Sequence, residues 1–143
     1  SLTASVTQDT TDTGLDGVIS WHYEVNTIEV EYLAANEVKT ENFTVTLDDG
    51  NGGTVDREIG VTITGTNDVP VVAATDVTGE VEEMLIASGN ITDTGSIAFS
   101  DVDLTDTHTI SAVTSSSNNL GSLTASVSTD TTSTGTGGEI TWN

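Results

Sequence analysis

The sequence predicts an all-β protein folded as a β-sandwich. Three observations carry that expectation. Apolar and polar residues alternate along several stretches, the period of a half-buried strand. Thr is abundant, and its branched side chain suits a pleated, half-buried surface. Clusters of Gly, Asn and Asp interrupt the alternation at short intervals, the punctuation of an all-β sandwich.

The elements follow in chain order. "SLTASV" at the start directs Leu2, Ala4 and Val6 to one face. "GVISWHYEV" sets Ile19, Trp21, Tyr23 and Val25 against Ser20, His22 and Glu24. Trp21 is therefore expected in the core, as is Trp142 at the matching place near the end of the chain. Residues 27–39, "TIEVEYLAANEVK", read as a strand end plus a crossover. "FTVTL" directs Phe43, Val45 and Leu47 inward, and "EIGVTITG" does the same with Ile59, Val61 and Ile63. "GTNDVP" then places the single proline, Pro70, directly after a strand exit. Proline donates no ladder hydrogen bond and holds the preceding residue extended, so a stiff connection is expected here.

Composition narrows the function. The formal net charge is −21, from 23 acidic residues against Lys39 and Arg57. No basic patch exists to release counterions from nucleic acid, and an anionic membrane surface is disfavoured for the same reason. Such self-repulsion opposes compaction, and bound cations are the direct offset. Disorder, the default for a highly acidic chain, conflicts with 34% hydrophobic content in clean alternation. There is no cysteine, hence no disulfide framework or thiolate metal site. No apolar run reaches the roughly 20 residues of a membrane helix, so direct membrane insertion is not expected. The first residues read as mid-domain sequence, and the chain is expected to be a fragment.

The chain also repeats itself. Residues 1–22, "SLTASVTQDTTDTGLDGVISWH", match residues 122–143, "SLTASVSTDTTSTGTGGEITWN", at 14 of 22 positions without a gap. The matches include Leu, Val, Ile and Trp in register. The offset of 121 residues is the period of a tandem unit. With a unit starting near Val69 and Pro70, residues 1–69 are the C-terminal part of one sandwich repeat and residues 70–143 the N-terminal part of the next. Each part lacks strands that the other possesses. Completion by other segments, within the chain or by strand exchange with neighbouring chains, is expected over two independent small domains.

Acidic residues gather at loops. "FSDVDLTD" offers Asp101, Asp103 and Asp106; "LDDGNGGT" offers Asp48 and Asp49; "TGEVEE" offers Glu80, Glu82 and Glu83. Ca²⁺ takes about six to eight oxygen ligands from carboxylates, amides and carbonyls. Alternation puts Asp101 and Asp103 on one side of an extended segment, and Asn67 with Asp68 at the strand exit supplies further oxygens. An EF-hand loop does not fit, because the sixth position from Asp101 is Asp106 rather than Gly. For any one of these carboxylates, a solvated turn residue is the competing reading.

At this point a resemblance enters. "FSDVDLTDTHTISAV", "GSLTASVSTDTT", "GGEITWN", "VEYLAANE", "FTVTLDDGNGGT" and "VTITGTNDVPVV" resemble successive segments of the bacterial VCBS repeat, in permuted order over nearly the whole chain. That resemblance implies an immunoglobulin-like or cadherin-like sandwich, tandem in large secreted RTX-type adhesins and displayed on the cell surface. "NDVP" and "DVD" also resemble cadherin repeats, which bind Ca²⁺ between domains. The analogy implies Asn67, Asp68, Asp101, Asp103 and Glu83 as ligands. Gly65 stands where the longer cadherin signature has its first Asp.

Other chemistry is poorly supported. His22 and His108 lie far apart in Thr/Ser-rich stretches and read as exposed strand residues. No Gly-x-Ser-x-Gly elbow exists, and the paired carboxylates lack flanking aromatics to hold a sugar. The "ENFT" and "NIT" glycosylation patterns at Asn42 and Asn90 are incidental in a bacterial chain. The expectation is a non-enzymatic, calcium-stabilised extender repeat of a surface adhesin or filament in cell adhesion or biofilm formation, flanked by copies of itself. The alternative is a lectin-like ligand-binding module.

Overall fold

The computed structural model describes residues 1–12, 14–73, 76–85 and 88–143. Within them the regular structure is all β apart from one 3-10 turn at Thr27–Glu29. In chain order the strands are β1 (Leu2–Gln8), β2 (Val18–Tyr23), β3 (Val38–Asp48), β4 (Thr54–Thr64), β5 (Val71–Val72), β6 (Gly95–Ser100), β7 (Ala125–Thr129) and β8 (Gly138–Trp142). They form three antiparallel sheets: β1–β2, β3–β4, and a four-stranded sheet in the order β5–β6–β8–β7.

The crossover expected after β2 is present. Asn26 accepts the Ile28 N–H at 3.1 Å and so starts the 3-10 turn. Turns then lead to β3, which pairs with β4 without a break from Val38↔Thr64 to Asp48↔Thr54. Along this hairpin Phe43, Val45, Ile59, Val61 and Ile63 are half-buried while Thr44 and Thr62 between them are exposed, as the alternation predicts; Leu47, expected on the same inward face, is 45% exposed. The tip is set by its two aspartates. Asp48 Oδ1 accepts the Gly50 N–H at 2.7 Å, and Asp49 Oδ1 accepts those of Asn51 and Gly53 at 2.7 and 2.9 Å. Gly52, with φ +95°, takes the left-handed turn that a side chain would resist.

The two repeat copies fold alike. Ala4↔Trp21, Ser5↔Ser20 and Val6↔Ile19 in the first hairpin become Ala125↔Trp142, Ser126↔Thr141 and Val127↔Ile140 in the second. A register irregularity falls at the same place in each, between Val6 and Gln8 and between Val127 and Thr129. The loops match as well: Gly14 donates to the Thr10 carbonyl and Gly135 to that of Thr131, both at 2.8 Å.

The two copies differ in what covers them. β1–β2 touches β3–β4 through Tyr23 and Phe43, whose rings lie 5.9 Å apart, and Tyr23 Oη donates to Glu41 at 3.1 Å. Beyond that contact a cleft of about 560 Å³ opens between Val6, Val18, Ile19 and Leu47. Trp21 is 52% exposed, and Val6 and Ile19 are also exposed, so the expectation of a buried Trp21 is wrong for this chain. The face was assigned correctly, but among the described residues little lies against it beyond the Tyr23–Phe43 contact. Trp142 is half-buried, its indole N–H donating to the Asp76 carbonyl at 2.9 Å, and so is only partly the core residue expected. Among the described residues the buried apolar side chains are Leu33, Ala34 and Phe99, which lie beside the connection at residues 65–70 or under the loop after β6.

Candidate functional site

The connection from β4 to β5 runs through residues 65–70 without regular structure, as the position of Pro70 predicts. Its start is fixed by Gly65, which donates to the Glu37 carbonyl at 2.8 Å and accepts the Asn36 N–H at 3.1 Å. A Cβ at Gly65 would run into the carbonyl oxygens of Leu33 and Ala34, so the close approach requires glycine. Asn67 is exposed and turns its amide onto the Asp68 carbonyl.

Against this connection folds the loop that leaves β6. Asp101 Oδ1 accepts the Asp103 N–H at 3.0 Å, an Asx-type turn that brings both carboxylates inward. Leu104 donates to the Tyr32 carbonyl at 3.2 Å, and Thr105 Oγ1 donates to Glu37 Oε2 at 3.1 Å. Asp68 N–H donates to Asp103 Oδ2 at 2.8 Å, joining the strand exit to the loop. The structure thus brings Asp68, Asp101 and Asp103 together, with Asn67 adjacent in the chain. Asp101 is 3% exposed and Asp103 fully buried. Among the described residues Asp103 Oδ1 has no hydrogen-bond partner. A buried acceptor left unpaired costs about 1–3 kcal/mol, so this oxygen marks an unmet demand for a donor or a cation.

The remaining expected ligands are placed differently. Asp106 is half-buried at the end of the same loop, its N–H donating to the Asp103 carbonyl at 3.2 Å and its carbonyl accepting Thr132 Oγ1 at 2.6 Å. Glu83 is exposed in the irregular segment between β5 and β6. Asp48 and Asp49 sit at the β3–β4 tip, where their oxygens cap turn N–H groups. Among the described residues no group of three or more His, Cys, Asp or Glu stands in a metal-holding arrangement.

His108 is a correction. It lies outside any strand and is 15% exposed, not an exposed strand residue. Its Nδ1 meets Asp130 Oδ1 at 2.8 Å and its Nε2 meets Asp101 Oδ2 at 3.1 Å. Its backbone N–H donates to Asp130 Oδ2 at 2.9 Å, and its ring stands edge-on to Phe99 at 5.0 Å. The hydrogen bond to Asp130 raises the imidazole pKa, against desolvation, and that to Asp101 adds to it. Asp130 is lowered to about 2, first by the His108 backbone N–H and then by its ring. These are the ion pairs of the described residues; Lys39 and Arg57 form none among them. Local sequence carried no signal for this clamp, because Asp130 lies 22 positions away and reaches His108 only through the fold.

Neither a family model nor a curated protein nor a solved structure matches the chain. Its chemistry therefore rests on the geometry. Two buried carboxylates, Asp101 and Asp103, meet the residue 65–70 connection; His108 pairs with Asp101, no lysine or arginine pairs with either among the described residues, and Asp103 Oδ1 has no hydrogen-bond partner there.

Proposed function

We propose that this chain is a calcium-stabilised structural repeat, an extender unit of a secreted bacterial surface adhesin or filament used in cell adhesion and biofilm formation. The observation that carries the reading is the unpartnered, buried Asp103 Oδ1 beside the residue 65–70 connection. The donor set fits the ion. Asp101 and Asp103 would supply carboxylate oxygens, and Asn67 and Asp68 would add amide, carbonyl or carboxylate oxygens. A carboxylate offers about four lone-pair sites, so the bonds Asp101 and Asp103 already accept leave capacity for a metal. Calcium there would neutralise part of a chain of net charge −21 and stiffen the connection between successive units. The internal repeat and the VCBS-like segments support tandem display, and the scarcity of exposed aromatics supports a spacer over a glycan-binding module. Asp106 and Glu83 are outer candidates, and Asp48 and Asp49 serve the turn first.

Thermal melting in chelator and in millimolar Ca²⁺, at fixed ionic strength, tests the reading. A site binding only the folded state adds about 2.7 kcal/mol at one hundred times its dissociation constant. The melting temperature should rise with Ca²⁺, and Asp103→Asn should remove that rise. An unchanged melting temperature overturns the calcium reading.

A further inference from the structure

The tip of the β3–β4 hairpin holds the one asparagine of this chain that is followed by glycine, Asn51 before Gly52. A backbone nitrogen can attack the side-chain amide of the residue before it, and glycine presents that nitrogen without a Cβ to shield it. Every other asparagine precedes Thr, Glu, Phe, Asp, Ile, Asn or Leu, or stands last in the sequence. Asn42, the other asparagine of this hairpin, is followed by Phe43 inside the ladder, opposite Ile59.

The structure leaves the Asn51–Gly52 pair open. Both residues are exposed and lie outside the ladder, which resumes at Thr54. The two aspartates of the tip take the N–H groups on either side of Gly52. Gly50 donates to Asp48 Oδ1, and Asn51 and Gly53 donate to Asp49 Oδ1. The Gly52 N–H donates to no group among the described residues. Space around Gly52 is free as well: no atom beyond its chain neighbours comes within 4 Å of where a Cβ would stand. The Asn51 amide is held lightly, by one bond from Nδ2 to the Asp49 carbonyl at 3.1 Å.

We propose that Asn51 is a site of self-modification, where the chain deamidates through a cyclic imide formed with Gly52. The Gly52 nitrogen gives its proton to solvent hydroxide and bonds to Asn51 Cγ. The Cγ–Nδ2 bond breaks, and Nδ2 leaves with a proton from water as ammonia. Water then opens the five-membered imide on either side. Cleavage at Cγ leaves an aspartate; cleavage at the backbone carbonyl leaves an isoaspartate, whose chain runs on through Cβ and Cγ. Water is the only co-reactant. Either product adds a carboxylate beside Asp48 and Asp49. The isoaspartate also inserts a methylene into the backbone between Asp49 and Gly53. Two bonds between those residues close the tip, Asp49 N–H to the Gly53 carbonyl at 3.0 Å and Gly53 N–H to Asp49 Oδ1 at 2.9 Å, and the longer chain pulls them apart.

The inference stands apart from the calcium and adhesin reading, so the test uses the intact folded chain in chelator. The chain is aged in warm, mildly alkaline buffer, then unfolded and cut with trypsin. Lys39 and Arg57 are the sole cleavage positions, so one peptide, residues 40–57, carries both Asn51 and Asn42. The expected result is the mass gain of NH₂ replaced by OH, placed at Asn51 by fragmentation and accompanied by isoaspartate, with Asn42 unchanged. Asn51→Gln, whose longer side chain must close a larger ring, should abolish the gain. Isoaspartate-bearing chains, once separated, should lose the Gly53 amide hydrogen bond in nuclear magnetic resonance spectra, whereas Asn51→Asp, with its backbone unaltered, should keep it. Equal gains at Asn51 and Asn42 overturn the proposal. So does a folded chain that stays unmodified while the excised 40–57 peptide converts at Asn51, and an isoaspartate fraction that keeps the Gly53 bond overturns the effect on the tip.

Discussion

At the scale of single residues, His108 and Asp130 make stability depend on pH in a defined direction. A histidine whose folded pKa is raised contributes stability that is fully present below its unfolded value of about 6.5 and fades as pH rises through the folded value. His108 is such a residue, raised chiefly by its bond to Asp130. Asp130 is depressed to about 2, so its contribution is present above about 3.8 and is lost as pH falls toward 2. In chelator, melting temperature should fall as pH rises above about 6.5, and His108→Gln should flatten that fall. A wild-type profile flat from pH 6 to 8.5 would contradict the clamp. The ring that supports His108 is as exposed to test: Phe99→Ala removes one of the few buried apolar side chains and should cost about 3–5 kcal/mol in urea unfolding.

At the scale of elements, the repeated hairpin is an internal control. Gly138 and Gly17 occupy one repeat position, but only Gly138 has an aromatic ring against it. Gly138→Ala should destabilise by about 1–3 kcal/mol through overpacking. Gly17→Ala, whose added Cβ meets the Gln8 carbonyl and Thr10 at 3.2 Å, should cost less in the dilute chain. Denaturant unfolding of the two variants under identical conditions makes the comparison, and equal losses would mean that Phe99 does not seat against Gly138. The strands themselves were legible in the sequence because a period of two leaves a mark on every residue, and β3–β4 follows that pattern at residues 41–45 and 59–63, while Leu47 and Val55 near the tip are exposed. The loops were less legible. Asp48 and Asp49 read equally well as ligands or as turn caps, and only the N–H groups facing them decide for the caps.

For the whole molecule, the gap between pattern and burial is the informative quantity. Alternation states which face of a strand is apolar; it does not state whether anything lies against it. Trp21 stands on the predicted face and is 52% exposed, and β2, unlike its counterpart β8, pairs with one strand only among the described residues. The carboxylate group at the connection was partly legible, since Asp101 and Asp103 were singled out by alternation, Asn67 and Asp68 by their place at a strand exit, and all four by the resemblance to cadherin repeats. His108 was not, for its partner is contributed by a distant hairpin. A variant with Trp142→Phe leaves Trp21 as the fluorescent tryptophan. At low concentration its emission should be solvent-like and readily quenched by iodide. A blue, quencher-resistant spectrum independent of concentration would show that the face is already covered within one chain.

The pairing of β3 with β4 has a mechanical side. Both ends of this hairpin, at Val38 and Thr64, emerge together, beside the bonds that tie Gly65 to Asn36 and Glu37. Tension drawn between these ends loads the ladder one rung at a time rather than all rungs in parallel. The hairpin alone would peel open at low force, beginning at the Val38↔Thr64 pair and finishing at the Asp-capped tip. Resistance to pulling then depends on what grips its base, and there the Asp68–Asp103 contact lies directly in the line of load.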